Sequence, residues 1–393
     1  MKLDYKKTLQ ACFIGYIVQA IVNNFVPLLF LTFQNRYGIP LANITTLVTI
    51  NFGLQLAIDA LAAGFVDKIG YRLSALIAHL LAATGLISLT ILPELFSDPF
   101  VGLLLAVLIY AAGGGMLEVL ISPLVESCPT DNKEKAMSLL HSFYCWGHVG
   151  VVLLSTLFFR LFGIANWKIL ALLWAAIPVI NAVTFTKVPI ASLLADSESG
   201  LAVLELVKKK NFWVFMLLML CAGASEQAVS QWSSAFAEKG LGVGKTVGDL
   251  AGPMSFAAMM GAVRLFYGKY GERLNLNSFM AYSATVCVGA YLIISLSPLP
   301  GLGLIGCGLC GLSVGILWPG AFSMAAAAIK GGGTAMFAFL ALAGDLGCAA
   351  GPTLVGLVSS AADDNLKTGI LAGIVFPIVL LWGMALKRKN QEA

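Results

Sequence analysis

Charge is what this sequence has least of. Of its 393 residues, 24 are Lys or Arg, 20 are Asp or Glu and 3 are His. That is 11% charged, against about 25% in a soluble domain. A soluble chain of this length could not cover its surface with so few charges. A cytosolic enzyme, a disordered scaffold and a nucleic-acid binder are therefore excluded. Catalytic and metal chemistry are also missing from the pattern. No nucleophile–base constellation appears, and Cys307-x-x-Cys310 has redox or zinc spacing without a second pair or a histidine cluster to complete it. The other cysteines, Cys128 excepted, lie in apolar runs, where the residue packs as a small hydrophobe. Gly244-Lys245-Thr246 ends like a phosphate loop, but Lys239 stands where the first Gly is required. No cofactor, metal or nucleic-acid partner is expected.

What is abundant is apolar: 59% of the residues are hydrophobic. A helix needs about 20 mostly apolar residues to cross the hydrocarbon of a bilayer. Segments of that kind run over 8–33, 43–66, 73–93, 99–125, 137–160 and 167–187, then 211–236, 246–268, 276–297, 300–326, 334–360 and 368–386. The first is too long for a signal-peptide core and is expected to remain as a span. Twelve antiparallel helices follow, arranged as an N-terminal bundle over 1–188, a polar linker over 189–210 and a C-terminal bundle over 211–393. With both termini inside, 17 Lys and Arg fall on the inner side and 6 on the outer, while Arg264 lies within a span. That asymmetry predicts a multi-pass protein of the cell (inner) membrane with cytoplasmic termini. The Lys208–Lys210 run is a solvated linker, or rests on anionic headgroups of the bilayer.

The halves align at a shift of about 201 residues. Asp67-Lys68-Ile69-Gly70-Tyr71-Arg72 falls on Gly268-Lys269-Tyr270-Gly271-Glu272-Arg273, Gly114 on Gly315 and Gly150 on Gly351. A six-helix unit repeated in parallel is one plan of secondary transporters, with the binding site between the halves.

Ala63-Gly64-Phe65-Val66-Asp67-Lys68-Ile69-Gly70-Tyr71-Arg72 resembles the loop motif of the major facilitator superfamily, with its leading Gly displaced by one place. The resemblance implies that Asp67 and Arg72 tie helix ends together and that Gly70 permits the tight turn. It also implies an all-α membrane protein of twelve transmembrane helices in two pseudo-symmetric six-helix bundles, working as a monomer by alternating access. A narrower resemblance is to the fucose:proton symporter and its sodium–glucose relatives. Gly113-Gly114-Gly115-Met116-Leu117-Glu118 with Ser122-Pro123, Leu140-His141-x-Phe143 with Gly147, Gly223 with Glu226 and Trp232, and Trp318-Pro319 with Phe322-Ser323 carry it. One departure is plain: where that symporter has an aspartate on helix one shortly before a proline, this chain has Asn23-Asn24-Phe25-Val26-Pro27.

Ionisable groups within spans cost about 2.5–3.5 kcal/mol each on insertion scales and are usually functional or paired. Glu118, in a Gly-rich stretch, sits where a carboxyl can take and release a proton near neutral pH. Glu226, followed by Gln227, Gln231 and Trp232, offers carboxylate, amides and a flat apolar face, which suits a sugar or polyol; Trp232 could equally anchor at the interface. Asn23 and Asn24, with Gln19 a turn earlier, make a polar stripe on helix one, or interhelical glue. Gln55 and Asp59 are four apart and share a face. Asp59 is then a second proton site or the partner of a basic gate residue. His141 senses protons or serves the gate. His79 is read as structural. Asp345 is either a cavity charge or the ion-pair partner of Arg264, and Trp318 either stacks on solute or plugs a helix interface. The expected function is ion-coupled uptake, by protons or sodium, of a sugar or related polyhydroxylated solute. The alternative is proton-coupled export of amphipathic or drug-like compounds.

Overall fold

The computed structural model describes residues 5–129, 133–190, 203–329 and 333–392. Among these, the secondary structure is helical throughout, with no strand. A bilayer offers no water to an unpaired N–H or C=O, so each crossing segment must close its hydrogen bonds on itself. The long helices are α1 (Tyr5–Tyr37), α2 (Leu41–Ile69), α3 (Tyr71–Leu95), α4 (Pro99–Ser127), α5 (Lys133–Phe162) and α6 (Trp167–Lys187). After a short helix at Val203–Lys208 come α7 (Lys210–Gly240), α8 (245–270), α9 (Leu276–Leu296), α10 (Pro300–Ala328), α11 (Gly333–Ala361) and α12 (Leu366–Leu386). Each expected segment falls on one of them. Eleven are long and apolar enough to cross a membrane. The exception is α8, which is divided into Lys245–Asp249, a π segment Leu250–Met254 and Ser255–Tyr270, and carries Arg264 in its last part.

The chain forms two compact units, Met1–Leu194 and Ala195–Ala393. Helix pairing within them follows one scheme. In the first, α1 packs on α4, α5 and α6, α2 on α4, and α3 on α4 and α6. In the second, α7 packs on α10, α11 and α12, α8 on α10, and α9 on α10 and α12. The sequence repeat is thus a repeat of packing. Small residues make the close approaches possible, as expected where dispersion rather than the hydrophobic effect joins helices. A Cβ on Gly113 would lie 2.6 Å from Ala78 O and from Ala82 N of α3, a distance no side chain can relieve because the opposing atoms are backbone.

Four of the long helices are interrupted, α12 at Ile374. α1 gives way after Asn24 to a 3₁₀ turn, Val26–Leu29, around Pro27. α7 breaks at Gln231 and Trp232 and continues through a π segment, Phe236–Gly240. α10 breaks at Gly315 and Ile316 before resuming at Leu317. The breaks in α1, α7 and α10 adjoin residues singled out in the sequence.

The loop motif has a clear local role. Gly70 joins α2 to α3 at φ +90°, ψ 144°, a conformation open to glycine alone. The turn brings Arg72 to the end of α6, where its Nη1 donates to Phe185 O at 2.6 Å and Thr186 O at 2.9 Å, and its Nη2 to Val188 O at 2.9 Å. One guanidinium thereby satisfies carbonyls left unpaired at a helix C-terminus. The side chain of Asp67 lies outside the described residues. The second copy of the motif does not reproduce the turn, since Gly271 has φ −58°. Gly70→Ala is therefore expected to lower the thermal stability of the detergent-purified chain by about 1–3 kcal/mol. Gly271→Ala carries no such backbone penalty, so melting curves of the two variants should separate. Seven of the eight cysteines are buried, Cys307 and Cys310 among them.

Candidate functional site

In the first unit, α1 and α2 each present two amides one turn apart, Gln19 and Asn23 against Asn51 and Gln55, and all four are at most 6% exposed. They interlock. Gln19 Nε2 donates to Gln55 Oε1 at 3.0 Å and to Glu118 Oε2 at 3.1 Å. Gln55 Nε2 donates to Asn23 Oδ1 at 2.9 Å and Asn51 Oδ1 at 3.0 Å, and Asn51 Nδ2 reaches Asn23 Oδ1 at 3.4 Å. The glycines of α4 make room for this cluster. A Cβ on Gly114 would stand 3.3 Å from Gln19 Oε1 and 3.4 Å from Gln55 Cδ, and one on Gly115 would stand 2.9 Å from Gln55 Cα. A carboxylate oxygen of Asp59, one turn beyond Gln55 on α2, lies within 4.8 Å of one of Glu118. Asp59 thus places a second carboxyl, from α2, beside Glu118. Gln19 Oε1 is buried without a hydrogen-bond partner.

In the second unit the polar residues of α7 form a line. Gln231 Nε2 donates to Gln227 Oε1 at 3.1 Å, and Gln227 Nε2 to Glu226 Oε1 at 3.3 Å. Arg264 Nη2 lies 3.4 Å from Glu226 Oε2, and its Nε donates to Gly315 O at 3.2 Å, a carbonyl made available by the break in α10. Gly315 is the repeat partner of Gly114, and each serves the polar cluster of its own unit. Trp232 is fully buried, with its indole N–H donated to Pro352 O at 2.9 Å. Trp318 lies against Gly344 of α11 and tilts over Phe322 at 6.2 Å between centroids.

The remaining candidates have their own local partners and burial. Asn24 turns back to Ala20 O at 2.9 Å and to Tyr144 Oη at 3.5 Å. His141 is exposed, its ring edge on Tyr16, whose hydroxyl pairs with Ser122 of α4 at 2.8 Å. Asp345 is half-buried on α11. His79 is fully buried, and its Nδ1–H can only donate to Ala75 O at 2.7 Å, so Nε2 accepts from Asn181 Nδ2 at 2.8 Å. Asn51 was not singled out from sequence, although it lies one turn from Gln55 on the same face.

A second omission is the environment of Lys245. Its Nζ lies 3.1 Å from Glu238 Oε1 and 3.0 Å from Asp249 Oδ2, and Ser234 Oγ donates to Asp249 Oδ1 at 2.5 Å. Asp249 is fully buried, at the start of the π segment of α8, and Glu238 lies in that of α7. Lys245→Met is expected to destabilise the chain by about 3–5 kcal/mol, because it leaves two carboxylates together and one of them buried. Asp249→Asn should cost less than Lys245→Met, since it removes one negative charge and retains the Glu238 pair; thermal melts in detergent rank the two.

The sequence model of the Major Facilitator Superfamily matches residues 11–352. The chain belongs to the major facilitator superfamily. It is therefore a membrane transporter and not an enzyme. Solved superfamily members share its fold. A bacterial homolog of the human lysosomal transporter Spinster is 14% identical, with 99% of this chain and 98% of that one covered at a TM-score of 0.77. The Escherichia coli fucose:proton symporter is 17% identical over 96% of this chain and 98% of that one, with a TM-score of 0.66. The nucleoside transporter NupG is 14% identical over 97% and 99%, with a TM-score of 0.76. At these identities the likeness is one of fold, and it extends across the superfamily beyond the fucose symporter. In sequence the chain matches none of the curated proteins.

Proposed function

We propose that this transporter takes up a sugar or a related polyhydroxylated solute, coupled to protons through Glu118 and Asp59. The observation that carries this reading is the interlocked group of four buried amides joined to a carboxylate. Amides in a membrane interior are costly, and a network of them is retained where their donors and acceptors are used. A hydroxyl both donates and accepts, as a carboxamide does, so a polyol can enter such a network and leave few groups unsatisfied. Two carboxyl groups within 4.8 Å repel one another when both are charged, and a single proton relieves that repulsion. In the second unit, Glu226, Gln227 and Gln231 supply the further polar contacts, with Arg264 holding Glu226 in place. The fucose symporter is a sugar–proton carrier by name, and its likeness to this chain is consistent with this reading. The distribution of Lys and Arg supports cytoplasmic termini in the cell membrane, and a monomer suffices, because each unit holds a complete cluster.

The test is thermal stabilisation of the purified protein by sugars, polyols, nucleosides and lipophilic cations, at about pH 5.5 and about pH 7.5, since a ligand of the folded state raises the melting point by mass action. Stabilisation by a sugar or polyol that disappears in Glu226→Gln is expected. Stabilisation by lipophilic cations alone would replace this reading with export of amphipathic compounds.

A further inference from the structure

The hydrogen bonds of the first unit have a direction. Both amide hydrogens of Gln19 are spent, on Gln55 and Glu118, and both of Gln55 are spent, on Asn23 and Asn51. In this sense Glu118 Oε2 is an acceptor. A proton on that oxygen, pointed at Gln19, would meet an N–H, so Gln19 must then present its carbonyl instead. Turning Gln19 alone would set its Oε1 against Gln55 Oε1, across the 3.0 Å now spanned by a hydrogen bond. Two buried carbonyls facing one another at that distance are unfavourable. Gln55 relieves the clash by turning as well, which in turn requires Asn23 and Asn51 to offer N–H where they now offer oxygen. Intermediate arrangements leave buried groups unpaired, so the chain has two self-consistent senses.

We propose that Gln19, Gln55, Asn23 and Asn51 form a reversible amide chain that turns over as one when Glu118 takes a proton, with Gln19 and Gln55 as its positioning residues. This rests on the proton-carrying role of Glu118 proposed above. Among the described residues of the first unit, the ionisable group facing Glu118 is Asp59, from α2. Tyr16 of α1 is engaged with Ser122, His79 of α3 with Asn181, and His141 of α5 is exposed. The chain also bears on the class of solute. Gln19 Oε1 is buried and unpartnered beside Gly114, and turnover replaces that acceptor with a donor. A hydroxyl satisfies either sense, whereas an ammonium can only donate and an ether can only accept. The site therefore selects hydroxyl groups because they remain bonded through the protonation cycle.

The experiment is pH-difference infrared spectroscopy of the full chain in lipid, without solute, with ¹³C in the glutamine side-chain carbonyls, between about pH 5 and about pH 9. The expected spectrum has glutamine carbonyl difference bands that share a midpoint with a protonated-carboxyl band, vanish with it in Glu118→Gln, and weaken in Gln55→Leu. Gln55 does not touch Glu118 through any of the bonds above, so a purely structural Gln55 would leave that midpoint unmoved. If Gln55→Leu fails to fold, Gln55→Met, of matching length, takes its place. A Glu118 carboxyl band without glutamine bands at its midpoint overturns the amide chain and leaves the proton carrier standing. Absence of any carboxyl band that Glu118→Gln removes overturns both.

Discussion

Glu118→Gln is expected to abolish uphill accumulation while exchange of solute across the membrane persists. The magnitude follows from coupling. One proton moving down a gradient of one pH unit supplies about 1.4 kcal/mol, enough to hold roughly a tenfold solute ratio. The variant should bring that ratio to about one. Glutamine at 118 can still meet Gln19, which donates to the present carboxylate at 3.1 Å, so the amide cluster and the binding of solute are retained. The charge that must be gained and lost is not. Proteoliposomes with an imposed pH gradient measure the ratio, and counterflow under zero gradient measures exchange. An unchanged ratio in the variant would remove Glu118 from the coupling step.

The second large effect concerns Arg264 and Glu226. Their side chains are 17% and 10% exposed, and they lie 3.4 Å apart within the apolar body of the second unit. Arg264→Met leaves Glu226 without that partner, at an expected cost of about 3–5 kcal/mol. It also frees the Gly315 carbonyl at the break in α10. Replacing the pair together, by Glu226→Gln with Arg264→Met, should restore most of the melting temperature lost in the single variant, because no buried charge then stands alone. Transport should not return with stability, since Glu226 is assigned to the solute. A double variant that folds and transports normally would make this pair a structural element only.

The sequence carried the architecture because the bilayer enforces it. A span must be apolar for about 20 residues and must close its own backbone bonds, so α1 to α12 are visible as runs. Only α8, with Arg264 and two polar ends, falls short of the others, and its π segment gives no signal in the sequence. Gly70 was legible too, since a turn of that kind between two helices admits glycine alone. The clusters were legible in part. Asn23, Gln55 and Glu226 stand out as polar groups in apolar runs, whereas the part played by Asn51 emerges only from its bonds to Gln55 and, across the helix pair, to Asn23. Trp232 carries a constraint that the sequence does not display. Its aromatic face suggested solute contact or an interfacial anchor, while the structure buries it and commits its N–H to Pro352, 120 residues away. Lys245 was weighed only as a failed phosphate loop. Asp249 lies four residues along the same helix, whereas Glu238 reaches Lys245 from α7 across the chain reversal.

The most direct test of proton-coupled polyol uptake is the pH inside sealed proteoliposomes, followed with an entrapped dye as L-fucose, D-glucose, sorbitol or a lipophilic cation is added outside. Solute-dependent acidification of the interior by a sugar or polyol, absent in Glu118→Gln, is the predicted result. Proton flux evoked by the lipophilic cation alone, or sugar entry without any change in internal pH, would contradict it.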